Sequence, residues 1–145
     1  MKILCTICAR KGSKGLKNKN LIILKNKPLY MHTLNFAKKV NFIDHIVVTT
    51  DSKIIKNKVG NLYSWFLRAK KLSGDNVSKI EVIKDAVLKS EKKNNCEYEY
   101  IVDLDVSSPL RNIEDIIKSY KKFLKNKYGN LFTVTKASKN PYFNM

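Results

Sequence analysis

The sequence predicts an α/β protein with helices packed on a mostly parallel sheet. Three observations carry that expectation. Strand-like apolar runs alternate with helix-like segments along the chain. The runs at 3–8 and 45–50 are almost wholly apolar or β-branched, as strands buried on both faces are. Polar, charged loops follow these runs, at the strand ends where open α/β sheets collect ligands.

The elements follow in order. Residues 2–8 read as the first strand, and a cationic loop at 9–20 leads into the short extended stretch Leu21–Leu24. Pro28 sits at a favourable helix start, and Leu29, Leu34, Ala37 and Val40 form a partial apolar stripe beyond it. His45–Thr50 is the second buried strand. Asp51 and Ser52 are candidate N-caps for a short helix reaching about Val59. Tyr63–Leu67 reads as a further strand, and Ser73–Asn76 as a polar loop. Ile80, Ile83, Ala86 and Val87 recur at helical spacing after it. Tyr100–Asp105 is the next strand, then comes a helix through Ile113, Ile116, Ile117, Tyr120 and Leu124. Leu131–Thr135 is expected to be the last strand.

At 145 residues and 43% hydrophobic content the chain is read as one domain, residues 1–145, with enough apolar surface for a real core. No apolar run approaches the roughly 20 residues of a membrane helix. The first one meets Arg10 and Lys11 too soon to be a secretory signal, so the expectation is a cytoplasmic protein without a membrane partner. A net charge of +17 raises the possibility of a basic nucleic-acid-binding module. The lysines are spread along the chain, however, and neither an RNA-binding aromatic signature nor zinc-finger spacing is present, which favours a solvated lysine-rich surface and no nucleic-acid partner. Cys5 and Cys8 lie three apart on one strand and so point to opposite faces, which argues against a shared disulfide or metal. With Cys96 they are expected to be reduced thiols.

Three groups fall at strand ends. The first is the loop Ala9–Asn20, whose Gly12 and Gly15 let the backbone turn its N–H groups toward an anion while Arg10, Lys14 and Lys19 supply countercharge. Its spacing is neither that of a Walker A loop nor that of a Rossmann dinucleotide fingerprint. The second group, Thr50–Ser52, is read first as a helix cap. The third is Asp103 and Asp105, two apart on a strand and so on one face, followed by Ser107–Arg111. Two adjacent carboxylates need compensation, either from magnesium on a nucleotide triphosphate or from an arginine or backbone amides.

Ala9-Arg10-Lys11-Gly12-Ser13-Lys14-Gly15 with Lys19-Asn20 resembles the signature of the acylneuraminate cytidylyltransferases. The family's further motifs follow in its own order: Val47–Ser52, Leu67-Arg68 with Leu72–Asp75, Asp103–Arg111, and Asn140–Met145. The Asp-Leu-Asp form is closer to members acting on legionaminic- or pseudaminic-type sugars. The resemblance implies a three-layer α/β/α Rossmann-like nucleotidyltransferase fold. It also implies transfer of CMP from CTP to a nonulosonic acid (sialic, legionaminic or pseudaminic type), with release of pyrophosphate and assistance by Mg²⁺, in the service of surface-glycan or flagellin glycosylation.

By the same resemblance Arg10 and Lys19 are the catalytic contacts to the triphosphate, with Lys19 stabilising the α-phosphate. Ser13, Lys14 and Gly15 supply loop contacts, Asn20 orients the nucleotide, and Arg68 reads the cytosine with Ser78 in the adjoining base-binding segment. Asp105 stands near the sugar, where sialic-acid enzymes commonly carry Gln. The metal ligands stay open, with Asp103 and Asp105 as candidates, because the family's later Asp-x-Asp is absent from this sequence. The family's dimer-forming arm is absent too, so a homodimer is expected for full-length members and a C-terminally shortened nucleotidyltransferase domain for this chain. A nucleotide-binding remnant without turnover is the alternative reading.

Overall fold

The computed structural model describes residues 1–13, 15–126 and 129–134. The chain divides into two compact units, the first comprising Met1–Arg111 and the second beginning at Asn112. The expected strand at 131–135 is not seen in its described part, since residues 131–134 are irregular and mostly exposed. Thr135, and the motif at Asn140–Met145, lie outside the described residues.

In the first unit, strand β1 (Ile3–Cys8) is the middle of a three-stranded sheet. It is flanked by β4 (His45–Thr49) and β5 (Tyr100–Asp103), both parallel to it. A small antiparallel ladder joins β2 (Ile23–Leu24) to β3 (Lys27–Pro28). Leu21 instead ends a 3₁₀ turn at Lys19–Leu21, so the extended stretch is shorter than the sequence suggests. Helix α1 (Leu29–Ala37) then starts immediately after Pro28. Helices α2 (Lys53–Val59) and α3 (Lys79–Asn94) lie between β4 and β5. The second unit is described as α4 (Ile113–Asn126), where the sequence places a helix. Among the described residues no helix is long and apolar enough to cross a membrane.

From β1 the chain moves outward to β4 and then returns across β1 to β5. Right-handed crossovers therefore put α1 and α3 on opposite faces of the sheet, which gives three layers. Leu4 and Val47 face α3 and cluster with its Ala86. Cys5 and Cys8 are on opposite sides of β1, and all three cysteines are free. Burial drives the Cys5 thiol far above its ordinary range and pushes Cys8 up to about 12, with Asp103 adding to both. Neither is therefore a thiolate near neutral pH.

Two readings of periodicity are corrected. Tyr63–Leu67 is not a strand. It runs along β4 with isolated bonds, Val48 N–H donating to Tyr63 O at 2.7 Å and Arg68 N–H to Thr50 O at 2.8 Å. Trp65 and Phe66 pack on the Leu4–Val47–Ala86 cluster, and the ammonium groups of Lys93 and Lys89 lie 4.0 and 4.4 Å from their ring centres. Some of the lysine charge thus covers aromatic surface. The buried stripe of α3 is Val82, Ala86 and Ser90, and Ile80 is exposed. Ser90 hides this stripe in the sequence, because its hydroxyl can be buried only by donating back to Ala86 O, at 2.6 Å.

Candidate functional site

β1 and β5 are neighbours in space but lead into connections on opposite sides, so their carboxyl ends form the topological switch point of the sheet. A cleft of about 560 Å³ opens there. The loop after β1, the segment after β4, the start of α3 and the loop after β5 all contribute walls.

The first loop is built by local bonds. Ala9 N–H donates to Thr49 O at 3.0 Å, Thr50 Oγ1 donates to Ala9 O, and Asp51 Oδ1 accepts from Lys11 N–H at 2.6 Å. Asn20 is buried, and its amide donates to Arg10 O at 2.8 Å, closing the far end of the loop onto its beginning. The sequence reading assigns the turn to Gly12 and Gly15. Within the described part of the loop, Asn18 adopts the left-handed conformation, at φ 53°. A Cβ added at Gly12 or Gly15 would meet no atom within 4 Å. Both glycines therefore leave room beside the backbone, with Gly15 on the cleft wall.

The structure brings Arg10, Ser13, Gly15, Lys19, Asn20, Arg68 and Asp105 to this one cleft. Lys14 lies outside the described residues. Ser78 is not among the lining residues, and its hydroxyl accepts Ile80 N–H as the N-cap of α3. Ser52 caps α2 by accepting Ile55 N–H at 3.3 Å, while Asp51 serves the loop rather than the helix.

The two cleft arginines are held very differently. Arg68 is only 5% exposed; its Nε donates to Thr49 Oγ1 at 3.1 Å and its Nη2 to Thr49 O. Burial lowers its pKa, partly opposed by Cys8 and Asp51. Arg10 lies nearer the rim, with its Nη1 2.6 Å from Asp75 Oδ1 on the loop before α3. On the opposite wall Lys19 Nζ donates to Ser107 Oγ at 2.8 Å.

Asp103 and Asp105 face the same way, and the cation between them is Lys79, the first residue of α3. Burial pushes the Asp105 carboxyl up, but the Ser107 N–H and the Lys79 charge outweigh it, leaving the pKa below the ordinary value. Burial likewise opposes the charge on Lys79, yet the two aspartates raise its pKa overall. Arg111 anchors the segment from below by donating to Asp105 O at 2.6 Å.

The sequence reading missed Lys79 and Asp75 as site residues. The signal for Lys79 was its place at a helix N-terminus, where the helix dipole disfavours a cation unless an acidic partner is near. Among the described residues no three His, Cys, Asp or Glu side chains cluster to hold a metal. The acidic pair of the cleft is bridged by Lys79.

A family model described as Cytidylyltransferase matches residues 4–142. The chain belongs to the cytidylyltransferase family. It is 42% identical to the "Post-translational flagellin modification protein B" of Campylobacter coli, over 99% of this chain and 62% of that protein. Against the "CMP-N,N'-diacetyllegionaminic acid synthase" of Campylobacter jejuni it is 41% identical, with the same coverage. The chain thus spans 62% of the length of these two relatives. A structure of CMP:2-keto-3-deoxy-manno-octonic acid synthetase complexed with CTP superposes with a TM-score of 0.67 at 19% identity, over 88% of this chain and 49% of that one. The last likeness establishes the shared Rossmann-like fold.

Proposed function

We propose that the cleft binds CTP and that the protein transfers CMP to a nonulosonic acid of the sialic, legionaminic or pseudaminic type. The observation that carries this reading is the convergence of Arg10, Lys19 and Arg68 on one cleft at the switch point of a cytidylyltransferase-family sheet. The anomeric hydroxyl of the sugar attacks the α-phosphate, the bond to the β-phosphate oxygen breaks, and pyrophosphate leaves. Such a reaction needs positioning and neutralisation of developing charge rather than covalent help from the protein.

Lys19 supplies positive charge at the α-phosphate. Arg10 exchanges Asp75 for triphosphate oxygens, and the backbone at Ser13 and at Gly15 approaches the phosphates. Arg68, fixed by Thr49, presents its remaining donor edge to the cytosine. Asp105 faces the sugar side of the cleft. Magnesium bound to the triphosphate would neutralise phosphate charge during the transfer. The relatives named for legionaminic acid and for flagellin modification support a nonulosonic acid destined for flagellin as the acceptor.

The test is pyrophosphate release from CTP, with N,N'-diacetyllegionaminic acid, pseudaminic acid and N-acetylneuraminic acid offered in turn. Release that needs both CTP and one of these sugars is the expected result. CTP binding with no release under any of them would identify a nucleotide-binding remnant instead.

A further inference from the structure

Two carboxylates on one face of a strand end raise each other's pKa unless a cation lies between them. In this cleft Lys79 Nζ lies 2.5 Å from Asp103 Oδ2 and 3.3 Å from Asp105 Oδ2. The other oxygens of the pair are engaged as well. Thr6 Oγ1 donates to Asp103 Oδ1 at 2.8 Å, and Ser107 N–H donates to Asp105 Oδ1 at 2.7 Å. A magnesium ion demands near-octahedral oxygen ligands and gives up its water reluctantly. To use this pair it would have to expel Lys79 from the gap.

Lys79 also starts a 16-residue helix, where the positive end of the dipole works against an ammonium group. The helix therefore does not favour a lysine here, and the acidic pair supplies the compensation. The side chains then form a relay across the cleft. Lys79 holds Asp105, Asp105 holds the Ser107 backbone, and the Ser107 hydroxyl accepts from Lys19.

We propose that Lys79 is a tethered counter-cation at Asp103 and Asp105, occupying the place of a divalent ion and positioning Asp105 and Ser107 against Lys19. The acidic pair consequently binds no magnesium of its own. Lys79 is a positioning residue, because it reaches Lys19 only through Asp105 and Ser107. The readout below needs no nucleotide, so the inference stands or falls apart from the cytidylyl-transfer reading.

The experiment compares melting temperatures in about 10 mM MgCl₂ and in NaCl of equal ionic strength, for the native protein, Lys79→Met and Lys79→Arg. The native protein and Lys79→Arg are expected to melt alike in both salts. Lys79→Met, with two uncompensated carboxylates, is expected to gain about 5 °C in magnesium, as for a ligand present at several times its dissociation constant. Adding Asp103→Asn to Lys79→Met is expected to abolish that gain. A folded Lys79→Met indifferent to magnesium overturns the proposal. Because Lys79→Met could fail to fold, Mn²⁺ binding to the native protein and to Asp103→Asn is also compared by electron paramagnetic resonance. Equal Mn²⁺ uptake supports the proposal, and loss of a bound Mn²⁺ in Asp103→Asn overturns it.

Discussion

Arg68 and Lys19 line the same cleft but are held in opposite ways. Arg68 is sunk into the wall, with its guanidinium bonded to both the hydroxyl and the carbonyl of Thr49. Lys19 donates to the exposed Ser107, and Arg10 is similarly matched to a half-exposed Asp75. One wall is thus fixed by folding, whereas the other consists of cations whose present partners can be traded for phosphate. A rigid wall suits recognition of a base, and exchangeable cations suit a triphosphate whose charge shifts during reaction.

If that division holds, substitutions on the two walls must fail differently. The largest effect is expected for Lys19→Ala, which should lower turnover by about 10²–10³-fold while leaving the melting temperature close to that of the native protein. Steady-state kinetics alongside thermal unfolding checks this, and a variant that loses stability in proportion to activity would erase the contrast. Arg68→Ala should cost about 3 kcal/mol of folding stability, by removing both guanidinium bonds to Thr49 and leaving a cavity in the wall. Denaturant unfolding measures it. Arg68→Lys should recover little, since an ammonium cannot reproduce the planar two-point contact.

The smallest effect concerns pH. The Asp105 carboxyl is held below its ordinary value of 3.8. Its contribution to stability is therefore present above that value and lost as pH falls through the lower folded value. Unfolding at about pH 5 and about pH 3 should show the native protein losing slightly more stability between them than Asp105→Asn does. An identical acid profile in the two would mean that Lys79 and Ser107 do not stabilise the charge.

Much of this arrangement was legible in the sequence. β1 and β4 are uninterrupted apolar runs, and the groups after Cys8, Thr49 and Asp103 had to fall at strand ends once the sheet was parallel. The strand spacing predicted Asp103 and Asp105 on one face, but β5 ends at Asp103, and Asp105 is held beside it by Lys79 and the Ser107 N–H. What stayed hidden depends on contacts between segments distant in the chain. Tyr63–Leu67 has the composition of a strand, but its aromatic rings bury themselves under α3 and its lysines, and the backbone never joins the ladder. Lys79 looked like one more member of a lysine-rich surface, and only the approach of α3 to the end of β5, 24 residues later in the sequence, shows its partners. Asn18 took the left-handed turn expected of a glycine, because asparagine tolerates that conformation almost as readily.

The measurement closest to the central claim is a calorimetric titration of the protein with CTP, ATP and GTP, repeated with Arg68→Ala for any variant that remains folded. The account predicts CTP binding at least about tenfold tighter than either purine nucleotide, a difference of about 1.4 kcal/mol. It also predicts that this preference shrinks when Arg68 is lost. Equal affinity for all three nucleotides in the native protein would contradict the assignment of the cleft to cytidine.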